Sequence, residues 1–484
     1  MRSNKEEIKT PKVRRKKRRS LNREFAVVTY SMIALYLALI VYFCYFVGFQ
    51  SEAFINHSSN PRLSVMSEHT IRGDIKTSDN VVLAHSDYDG KNETRVYPKG
   101  REYAHVVGFS VNGMSGAEKD ANFYLLRSHA FIIDRLKNDL FEKKNEGDNV
   151  ILTLDSKAQE AAYNGMGSYK GAVVAMDPET GKILAMVSKP DFDPSTISQQ
   201  WESLTSSSSE SILLNRATQG LYPPGSTFKI ITALAYDRNG RNDNVTFDCS
   251  GDFTSDGFTI HCYGNKAHGN QSFETAFANS CNTTFAKIGL VLKKNSLKNA
   301  AEDFLFNTDI PTDISNVKSS SFTMDKSAND ALIMQTSIGQ GNTLATPLQM
   351  ALVASTVANN GYLMEPYYID SIENNNGINV KTFKPVEYGR LISKKEANRL
   401  KKYMRKVVTE GTGTGLLTSS YKAYGKTGTA EFSSNKNEAH SWFVGFANKN
   451  GKKIAVSVIM EGAGAGSSHA LPLAKKIIDS YLSK

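Results

Sequence analysis

A run of 25 residues without a formal charge, Phe25 to Phe49, most constrains how this chain can fold. The run is rich in Tyr, Leu, Ile, Val and Phe, and it is long enough to cross a bilayer as a single helix. It is longer than the apolar core of a signal peptide and has no small-x-small cleavage site before Gln50. A helix buried in a soluble core is disfavoured, because the run is apolar on every side. The sequence therefore predicts a transmembrane signal-anchor helix over residues 25–49.

The 24 residues before this run form a basic arm. They contain 11 Lys and Arg against 3 Asp and Glu, whereas the whole chain of 484 residues has a net charge of only +10. A run such as Arg14–Arg19 also occurs in nucleic-acid-binding segments, but positive charge directly before an apolar span is typical of its cytoplasmic side. We therefore expect a cytoplasmic arm (1–24) and no nucleic-acid partner. The chain is predicted to be a single-pass protein of the cell membrane that contacts the lipid bilayer through the anchor. The residues after the anchor are predicted to lie outside the cell.

Four cysteines are few for an exported chain of this length. Cys44 lies in the predicted span, and Cys281 lies in a motif described below. Cys249 and Cys262 can pair in a loop outside the cell, a question that the sequence leaves open. No spacing of Cys and His resembles a metal site, so the sequence predicts neither a metal nor a cofactor.

The character of the chain changes near residue 149. Residues 50–148 are polar and contain no set of residues that suggests catalysis, so they are interpreted as a spacer or interaction module. Beyond them, strands are predicted over Gly171–Met176, Lys182–Val187, Ser441–Ala447 and Ile454–Met460. Helices are predicted over Thr227–Tyr236, Phe273–Leu292, Pro347–Ala358 and Leu473–Leu482. Strands from both ends of this segment can share one sheet, which indicates an α+β domain over residues 149–484.

A potential nucleophile and a potential base, Ser226 and Lys229, follow the turn-forming sequence Pro223–Gly225. On a helix, residues three apart lie on one face, so the amine can reach the hydroxyl and take its proton. The same spacing recurs at Ser315 and Lys318, so the match alone is weak. Only at Ser226 does an apolar helical pattern follow, and the start of a helix favours a developing oxyanion. The sequence thus indicates an acyl-transfer enzyme.

Two further motifs follow in order. Ser280 and Asn282 form a Ser-x-Asn triplet 54 residues downstream of Ser226, and the single Lys-Thr-Gly triplet begins at Lys426. Ser-x-x-Lys, Ser-x-Asn and Lys-Thr-Gly in this order are the motif set of penicillin-binding proteins and active-site-serine β-lactamases. The ordered set is far more specific than any one member.

On these residues the chain resembles class B penicillin-binding proteins, the membrane-anchored peptidoglycan transpeptidases. The resemblance is good over residues 150–484 and looser over 50–148. It rests further on the sequences Leu214–Ala217, Ile338–Gly341, Thr346–Gln349, Thr429–Glu431 and Ser441–Phe443. The implied fold is α+β, a penicillin-binding or serine β-lactamase-like transpeptidase domain whose antiparallel sheet is flanked by helices. A transmembrane helix and an elongated, β-rich pedestal would precede it.

The resemblance also implies roles for the motif residues. Ser226 would attack the penultimate D-alanine carbonyl of a stem peptide, with Lys229 as the base. Ser280 would relay a proton to the leaving D-alanine, and Asn282 would hold Lys229 or the substrate. At the third motif and the residue after it, Lys426, Thr427 and Thr429 would bind the terminal carboxylate, and Gly428 would let the substrate approach. The backbone N–H groups of Ser226 and Thr429 would form the oxyanion hole.

The implied partners are peptidoglycan stem peptides, β-lactam antibiotics and a polytopic membrane glycosyltransferase. Three alternatives to a transpeptidase stay open at this point: a D,D-carboxypeptidase, a membrane-anchored β-lactamase, and a non-catalytic penicillin-sensing scaffold. No motif identifies the general base that a β-lactamase needs to activate water, and a scaffold predicts degraded motifs, whereas all three motifs are intact.

Overall fold

A computed structural model of the chain describes residues 14–47, 61–141, 143–206, 210–240, 245–293, 295–324, 327–431 and 439–483. Residues 1–13 of the predicted basic arm and residues 48–60, where the predicted anchor ends and the predicted pedestal begins, lie outside the described residues. The described residues form two compact units, 1–62 and 63–484 as divided along the chain.

Helices and strands occur in mixed order along the described residues. The helices are α1 (Arg14–Tyr45), α2 (Pro61–His69), α3 (Ala104–Val107), α4 (Gly116–Asp120), α5 (Asn122–Leu126), α6 (Ile132–Leu140), α7 (Ser156–Met166), α8 (Ile197–Thr205), α9 (Arg216–Gln219), α10 (Lys229–Arg238), α11 (Phe273–Ala278), α12 (Asn282–Val291), α13 (Ser296–Asp303), α14 (Asp330–Ser337), α15 (Pro347–Ala358), α16 (Lys394–Glu410) and α17 (Ala470–Leu482). The strands are β1 (Thr70–Ile71), β2 (Ile75–Lys76), β3 (Val82–Tyr88), β4 (Glu93–Val96), β5 (Asn145–Glu146), β6 (Asn149–Leu152), β7 (Gly171–Met176), β8 (Ile183–Lys189), β9 (Thr246–Cys249), β10 (Asp252–Ser255), β11 (Phe258–His261), β12 (Gly269–Ser272), β13 (Tyr362–Met364), β14 (Ile369–Glu373), β15 (Asn379–Thr382), β16 (Glu387–Arg390), β17 (Lys422–Glu431), β18 (Ala439–Lys449) and β19 (Lys452–Met460).

The first helix, α1, contains residues 25–45 of the predicted anchor. Its 23-residue stretch Arg23–Tyr45 is long and apolar enough to cross a membrane. Large apolar side chains along this stretch, such as Leu35 and Leu39, are exposed, whereas a helix of a soluble core would bury them. The stretch therefore has the properties of a membrane anchor.

One sheet joins strands that are far apart in the sequence. Its order is β15-β14-β6-β2-β3-β4, so strands from residues 75–96 share a sheet with strands from residues 369–382. The link is the antiparallel pairing of β14 with β6, in which Ile372 lies opposite Val150, and both side chains are fully buried. The sheet of the module predicted at 50–148 is thus completed by strands that come much later in the chain.

A buried ion cluster lies within this first module. The side chain of Glu118, on α4, is fully buried between two arginines: Arg72 Nε donates to Oε2 at 2.5 Å and Arg95 Nε donates to Oε1 at 2.7 Å. Arg72 also donates to the side chain of Asn122. Burial alone raises the pKa of Glu118, but the two arginines hold its pKa below the usual value. The carboxylate therefore stays charged and ties α4 to the sheet.

A second, five-stranded sheet forms the centre of the other module. Its order is β17-β18-β19-β7-β8, and all neighbours are antiparallel. Helix α15, whose residues are all buried, packs on one face, and α7 and α17 pack on the other. Side chains of a strand alternate between faces, so Trp442 and Val444 join the core around α15, whereas Phe443 and Ala447 join the core around α17. The predicted antiparallel sheet flanked by helices is confirmed.

Most of the predicted elements of this module are confirmed within a few residues. The strands predicted at 171–176 and 182–187 form the hairpin β7–β8, and the carboxylate of Asp177 closes its turn by accepting from the N–H of Glu179 at 2.9 Å. The prediction of one continuous helix over Phe273–Leu292 is wrong. The chain breaks there into α11 and α12, and the break is at the Ser-x-Asn triplet.

Candidate active site

Ser226 lies in the 3-10 turn Gly225–Phe228, directly before α10. The turn starts at Gly225, whose φ of +52° is in the left-handed region and whose N–H donates to the carbonyl of Gly339 at 2.8 Å. A Cβ at position 225 would lie 2.7 Å from the carbonyl oxygen of Thr429, so β17 packs directly against this turn. The half-buried Ser226 is therefore fixed between the start of a helix and the edge of the sheet.

Lys229, the first residue of α10, is fully buried, and four oxygen atoms surround its Nζ. Nζ lies 3.1 Å from Ser226 Oγ, 2.8 Å from the carbonyl oxygen of Ser280, 3.3 Å from Ser280 Oγ and 2.6 Å from Asn282 Oδ1. The amide of Asn282 is oriented by its other end, because Nδ2 donates to the carbonyl of His261 at 2.8 Å. The amide oxygen of Asn282 is thereby directed at the lysine.

Two buried lysines set the electrostatics of the site. Burial lowers the pKa of Lys229 to about 8, although the neighbouring thiols of Cys281 and Cys262 oppose this shift. Lys426 is also fully buried, and burial together with the charge on Lys229 lowers its pKa well below the usual value. Because each positive charge disfavours the other, the pair readily holds one neutral amine near neutral pH.

Ser280 occupies the break between α11 and α12. Its φ of +59° lies in the left-handed region, which is uncommon for a residue other than glycine. This conformation ends α11 and allows Cys281 to become the N-cap of α12. The Ser280 hydroxyl accepts from Lys426 Nζ at 2.8 Å and also lies 3.3 Å from Lys229 Nζ. Ser280 thus bridges the two lysines.

Strand β17 presents Lys426, Thr427, Gly428 and Thr429 in succession. Among the described strands it pairs only with β18, which makes it an edge strand that can accept another extended chain. Besides its contact with Ser280, Lys426 Nζ donates to the carbonyl of Thr427 at 3.0 Å. The structure therefore brings all eight residues predicted from the motifs together in one site.

Gly428 is constrained by the protein itself. A Cβ at this position would lie 2.9 Å from Cγ2 of Thr227 and 3.0 Å from Cβ of Trp442, closer than side chains normally pack. The sequence interpretation assigned this glycine to substrate approach. The geometry adds a packing requirement, because β17 passes over the Ser226 turn at backbone distance.

The motifs did not reveal three further residues of the site. Thr412 Oγ1 lies 2.6 Å from Thr427 Oγ1, the carbonyl of His261 orients Asn282 as described above, and Trp442 Nε1 donates to the carbonyl of Pro223 at 3.0 Å. A Gly-Thr-Gly run after a helix was the only sequence signal for Thr412. The role of His261 depends on a backbone carbonyl, which no residue pattern encodes.

Comparisons with known proteins identify the family of the chain. A family model described as the penicillin binding protein transpeptidase domain matches residues 171–479, and one for the penicillin binding protein A dimerisation domain matches residues 72–150. The chain belongs to the penicillin-binding proteins. Within them it is similar to "Peptidoglycan D,D-transpeptidase PbpA" of Mycolicibacterium smegmatis, with 34% identity over 85% of this chain and 89% of that protein.

Solved structures of other penicillin-binding proteins share the fold. One is the D,D-transpeptidase domain of a peptidoglycan glycosyltransferase from Eggerthella lenta, with a TM-score of 0.76, 31% identity, and coverage of 86% of this chain and 99% of that one. Another is the imipenem acyl-enzyme complex of penicillin-binding protein A from M. tuberculosis, with a TM-score of 0.75, 30% identity, and the same coverage. The class B family predicted from the motifs is thereby confirmed.

Proposed function

We propose that this penicillin-binding protein is a peptidoglycan D,D-transpeptidase that works through a serine acyl-enzyme and is inhibited covalently by β-lactams. The observation that carries the proposal is the 3.1 Å contact between Ser226 Oγ and the buried amine of Lys229. A buried lysine of lowered pKa beside a serine is the arrangement that activates a hydroxyl as a nucleophile. The names of the relatives above, and the acyl-enzyme formed by one of them, support the same chemistry.

The contacts of Lys229 explain how it can act as a base. A neutral amine has two N–H donors and one lone pair. The carbonyl of Ser280 and Oδ1 of Asn282 can only accept, so they take the two N–H groups and leave the lone pair for the Ser226 hydroxyl. The hydroxyl proton then moves to Lys229 Nζ while Ser226 Oγ forms a bond to the penultimate D-alanine carbonyl of a stem peptide.

Departure of the terminal D-alanine needs a proton on its amine. Ser280 lies between Lys229 and Lys426, so we assign it the relay: its hydroxyl donates to the leaving nitrogen and is replenished from Lys229. The C–N bond breaks, D-alanine leaves as an amine, and the acyl group stays on Ser226. Lys229 is neutral again and can take the proton of the attacking amine in the second half-reaction.

The edge strand β17 supplies the substrate contacts in this proposal. Lys426, Thr427 and Thr429 would bind the terminal carboxylate of the stem peptide or of a β-lactam through charge and hydroxyl groups. The backbone N–H groups of Ser226 and Thr429 would bind the carbonyl oxygen as negative charge develops on it. Both residues lie where β17 packs on the Ser226 turn, which supports this assignment.

The remaining segments place the enzyme at its substrate. We assign residues 1–24 to the cytoplasm, 25–49 to the membrane, 50–148 to a pedestal, and 149–484 to an extracellular transpeptidase domain. Glycan strands must be polymerised before they are cross-linked, so we propose a polytopic membrane glycosyltransferase as the partner of the anchor and pedestal.

The decisive experiment follows covalent labelling of the full-length protein in detergent by a fluorescent penicillin. We expect stable label on the wild type and none on Ser226→Ala. Ser315→Ala is the matched control, since Ser315 and Lys318 have the same spacing outside the site, and it should label fully. Label that forms and clears within minutes would indicate a β-lactamase instead, and folded wild-type protein that takes no label would contradict the acyl-enzyme.

A depsipeptide or thioester donor with a D-amino acid as acceptor separates the two remaining reactions. A transpeptidase transfers the acyl group to the added amine, whereas a carboxypeptidase releases only the hydrolysed donor. We expect the transfer product to dominate.

A further inference from the structure

Three cysteines and one histidine that the proposed chemistry does not use converge behind the Ser-x-Asn turn. Cys249, Cys262, Cys281 and His268 each offer one donor atom, and the four atoms all lie within 4.8 Å of one another. The three cysteines are buried free thiols. They come from separate elements: the end of β9, the residue after β11, and the N-cap of α12, while His268 directly precedes β12. Four soft or borderline donors gathered in this way form a metal-binding set.

The distances between the donor atoms match a tetrahedral zinc site. Sγ of Cys262 lies 3.7 Å from Sγ of Cys249 and 3.8 Å from Sγ of Cys281, and Sγ of Cys249 lies 3.4 Å from Nδ1 of His268. With Zn–S of about 2.3 Å and Zn–N of about 2.0–2.1 Å, a tetrahedron places two sulfurs about 3.8 Å apart and a sulfur and a nitrogen about 3.5 Å apart. Three of the six donor pairs thus already have tetrahedral spacing, and the other three lie within 4.8 Å.

We propose that Cys249, Cys262, Cys281 and His268 bind one Zn²⁺ in a closed structural site that holds the turn carrying Ser280 and Asn282. A Cys₃His set fills all four positions of tetrahedral zinc, which leaves no open position for catalysis. The metal would act through the position of this turn and not on the substrate.

The surroundings of Cys281 suit a metal-bound thiolate. The Thr284 hydroxyl donates to its sulfur at 3.2 Å, and Thr283 Oγ1 lies 3.3 Å from the same atom. The sulfur also lies at the N-terminus of the ten-residue helix α12, where the helix dipole favours negative charge. Hydrogen-bond donors around a ligand sulfur are the outer-shell feature that tunes and orients metal thiolates.

A disulfide between Cys249 and Cys262 explains less of this arrangement. It requires the two sulfurs to approach to about 2.0 Å, and it does not explain why Cys281 and His268 lie beside them. The sulfur of Cys262 lies midway, at nearly the same distance from both other sulfurs. A single metal accounts for all four side chains at once.

The segment that supplies three of the ligands has little secondary structure of its own, so a bound metal would stabilise it. Between residues 246 and 272 the described secondary structure consists of the two-stranded pairs β9–β12 and β10–β11 and one short turn. Two-stranded sheets are marginally stable alone, and a structural zinc converts binding energy into folding energy. The residue before Cys262 is His261, whose carbonyl orients Asn282. The bound metal would thus fix the position of the Asn282 amide, which contacts Lys229.

The test measures the zinc content of the full-length protein, purified in detergent under reducing conditions, by mass spectrometry of the metal. We expect about one zinc per chain in the wild type and in Cys44→Ser, the control for loss of a cysteine outside the cluster. Cys249→Ser and His268→Gln should lower the zinc content at least tenfold. Unchanged zinc in both variants, or a Cys249–Cys262 disulfide in wild-type protein purified without a reductant, would overturn the site.

Cobalt replaces zinc as a spectroscopic probe and needs no variant, so misfolding of a cysteine variant cannot obscure the result. Wild-type protein stripped by a chelator and loaded with Co²⁺ should show the intense d–d bands of a tetrahedral site and a thiolate-to-metal charge-transfer band. Weak bands of octahedral cobalt without charge transfer would also overturn the proposal.

The effect on acylation rests on the proposed function, whereas zinc content and cobalt spectra do not. The chelated protein should react with fluorescent penicillin about tenfold more slowly or worse, and Zn²⁺ but not Mg²⁺ should restore the rate. Full acylation by metal-free protein would overturn the positioning role.

Discussion

The side chains of Lys229 and Lys426 meet at one oxygen atom, the hydroxyl of Ser280, at 3.3 and 2.8 Å. Both lysines are fully buried, and burial lowers the pKa of each. A proton can therefore move between them through one hydroxyl without changing the net charge of the site. This arrangement suits a reaction in which the nucleophile loses a proton and the leaving group gains one.

The pH dependence of acylation should report the protonation of Lys229. Its pKa is lowered to about 8 by burial, and the neutral amine is the reactive form. The second-order rate of labelling by a β-lactam should therefore increase about tenfold per pH unit below pH 8 and level off above it. Stopped-flow or gel-based labelling between pH 5.5 and 9.5 measures this profile.

Lys229→Arg supplies the comparison for that profile. The guanidinium stays protonated throughout the range, so the residual rate should be about 10²–10⁴-fold lower and independent of pH. A variant that keeps the wild-type profile would assign the titration to another group.

Thr412 should support substrate binding through Thr427. In Thr412→Val the hydroxyl of Thr427 loses a partner at 2.6 Å, and one hydrogen bond contributes about 1 kcal/mol. We expect labelling to slow about fivefold through weaker initial binding of the β-lactam, measured from the dependence of rate on its concentration. Thr409→Val, at an exposed position of α16, is the matched control and should label normally.

The tight packing of Gly428 predicts a rescue. In Gly428→Ala the new methyl group meets Cγ2 of Thr227, and overpacking costs about 1–3 kcal/mol. Thr227→Ser removes that methyl group and keeps a hydroxyl for the carbonyl of Pro224. The double variant should therefore regain part of the lost thermal stability and labelling. If stability returns but labelling does not, the glycine is required for the substrate as well.

The Glu118 cluster predicts a loss of stability far from the site. Glu118→Gln leaves the buried charges of Arg72 and Arg95 without a counter-charge, and breaking a buried ion pair costs about 3–5 kcal/mol. The Tm should fall by several degrees, whereas Glu146→Gln, at an exposed position, should change little. Because the pKa of Glu118 is lowered in the folded protein, its contribution is present at neutral pH and is lost as the pH falls through that pKa.

The sequence predicted which motif side chains come together better than it predicted the backbone that holds them. The motifs specify side-chain chemistry, so Ser226, Lys229 and Lys426 could be assigned to one site before their distances were known. Strands such as β18 were predictable because a short apolar run, buried on both faces of the sheet, ends at the turn-forming residues Asn450 and Gly451. The left-handed conformation of Ser280 was not, because the Ser-x-Asn motif specifies side chains and not backbone angles, although the mainly polar run 279–284 interrupts the apolar pattern there.

The other features that the sequence did not predict depend on contacts between segments far apart in the chain. Cys249, Cys262, His268 and Cys281 are spaced by 12, 5 and 12 intervening residues, unlike the close pairs typical of zinc-binding sequences. They converge only because β9 pairs with β12 and the Ser-x-Asn turn packs beside them. Pairing of β14 with β6 was unpredictable for the same reason: neither strand specifies a partner more than 200 residues away.

Because β14 pairs with β6, the sheet is completed only late in the synthesis of the chain. Strands β2 to β4 end at residue 96, whereas the strands that complete their sheet end at residue 382. At a synthesis rate of about 5–20 residues per second, the sheet stays incomplete for roughly 15–60 s, with the edge of β2 and then of β6 unpaired. Such an edge is prone to aggregation, so the newly made chain has a period in which a chaperone that covers the edge would protect it.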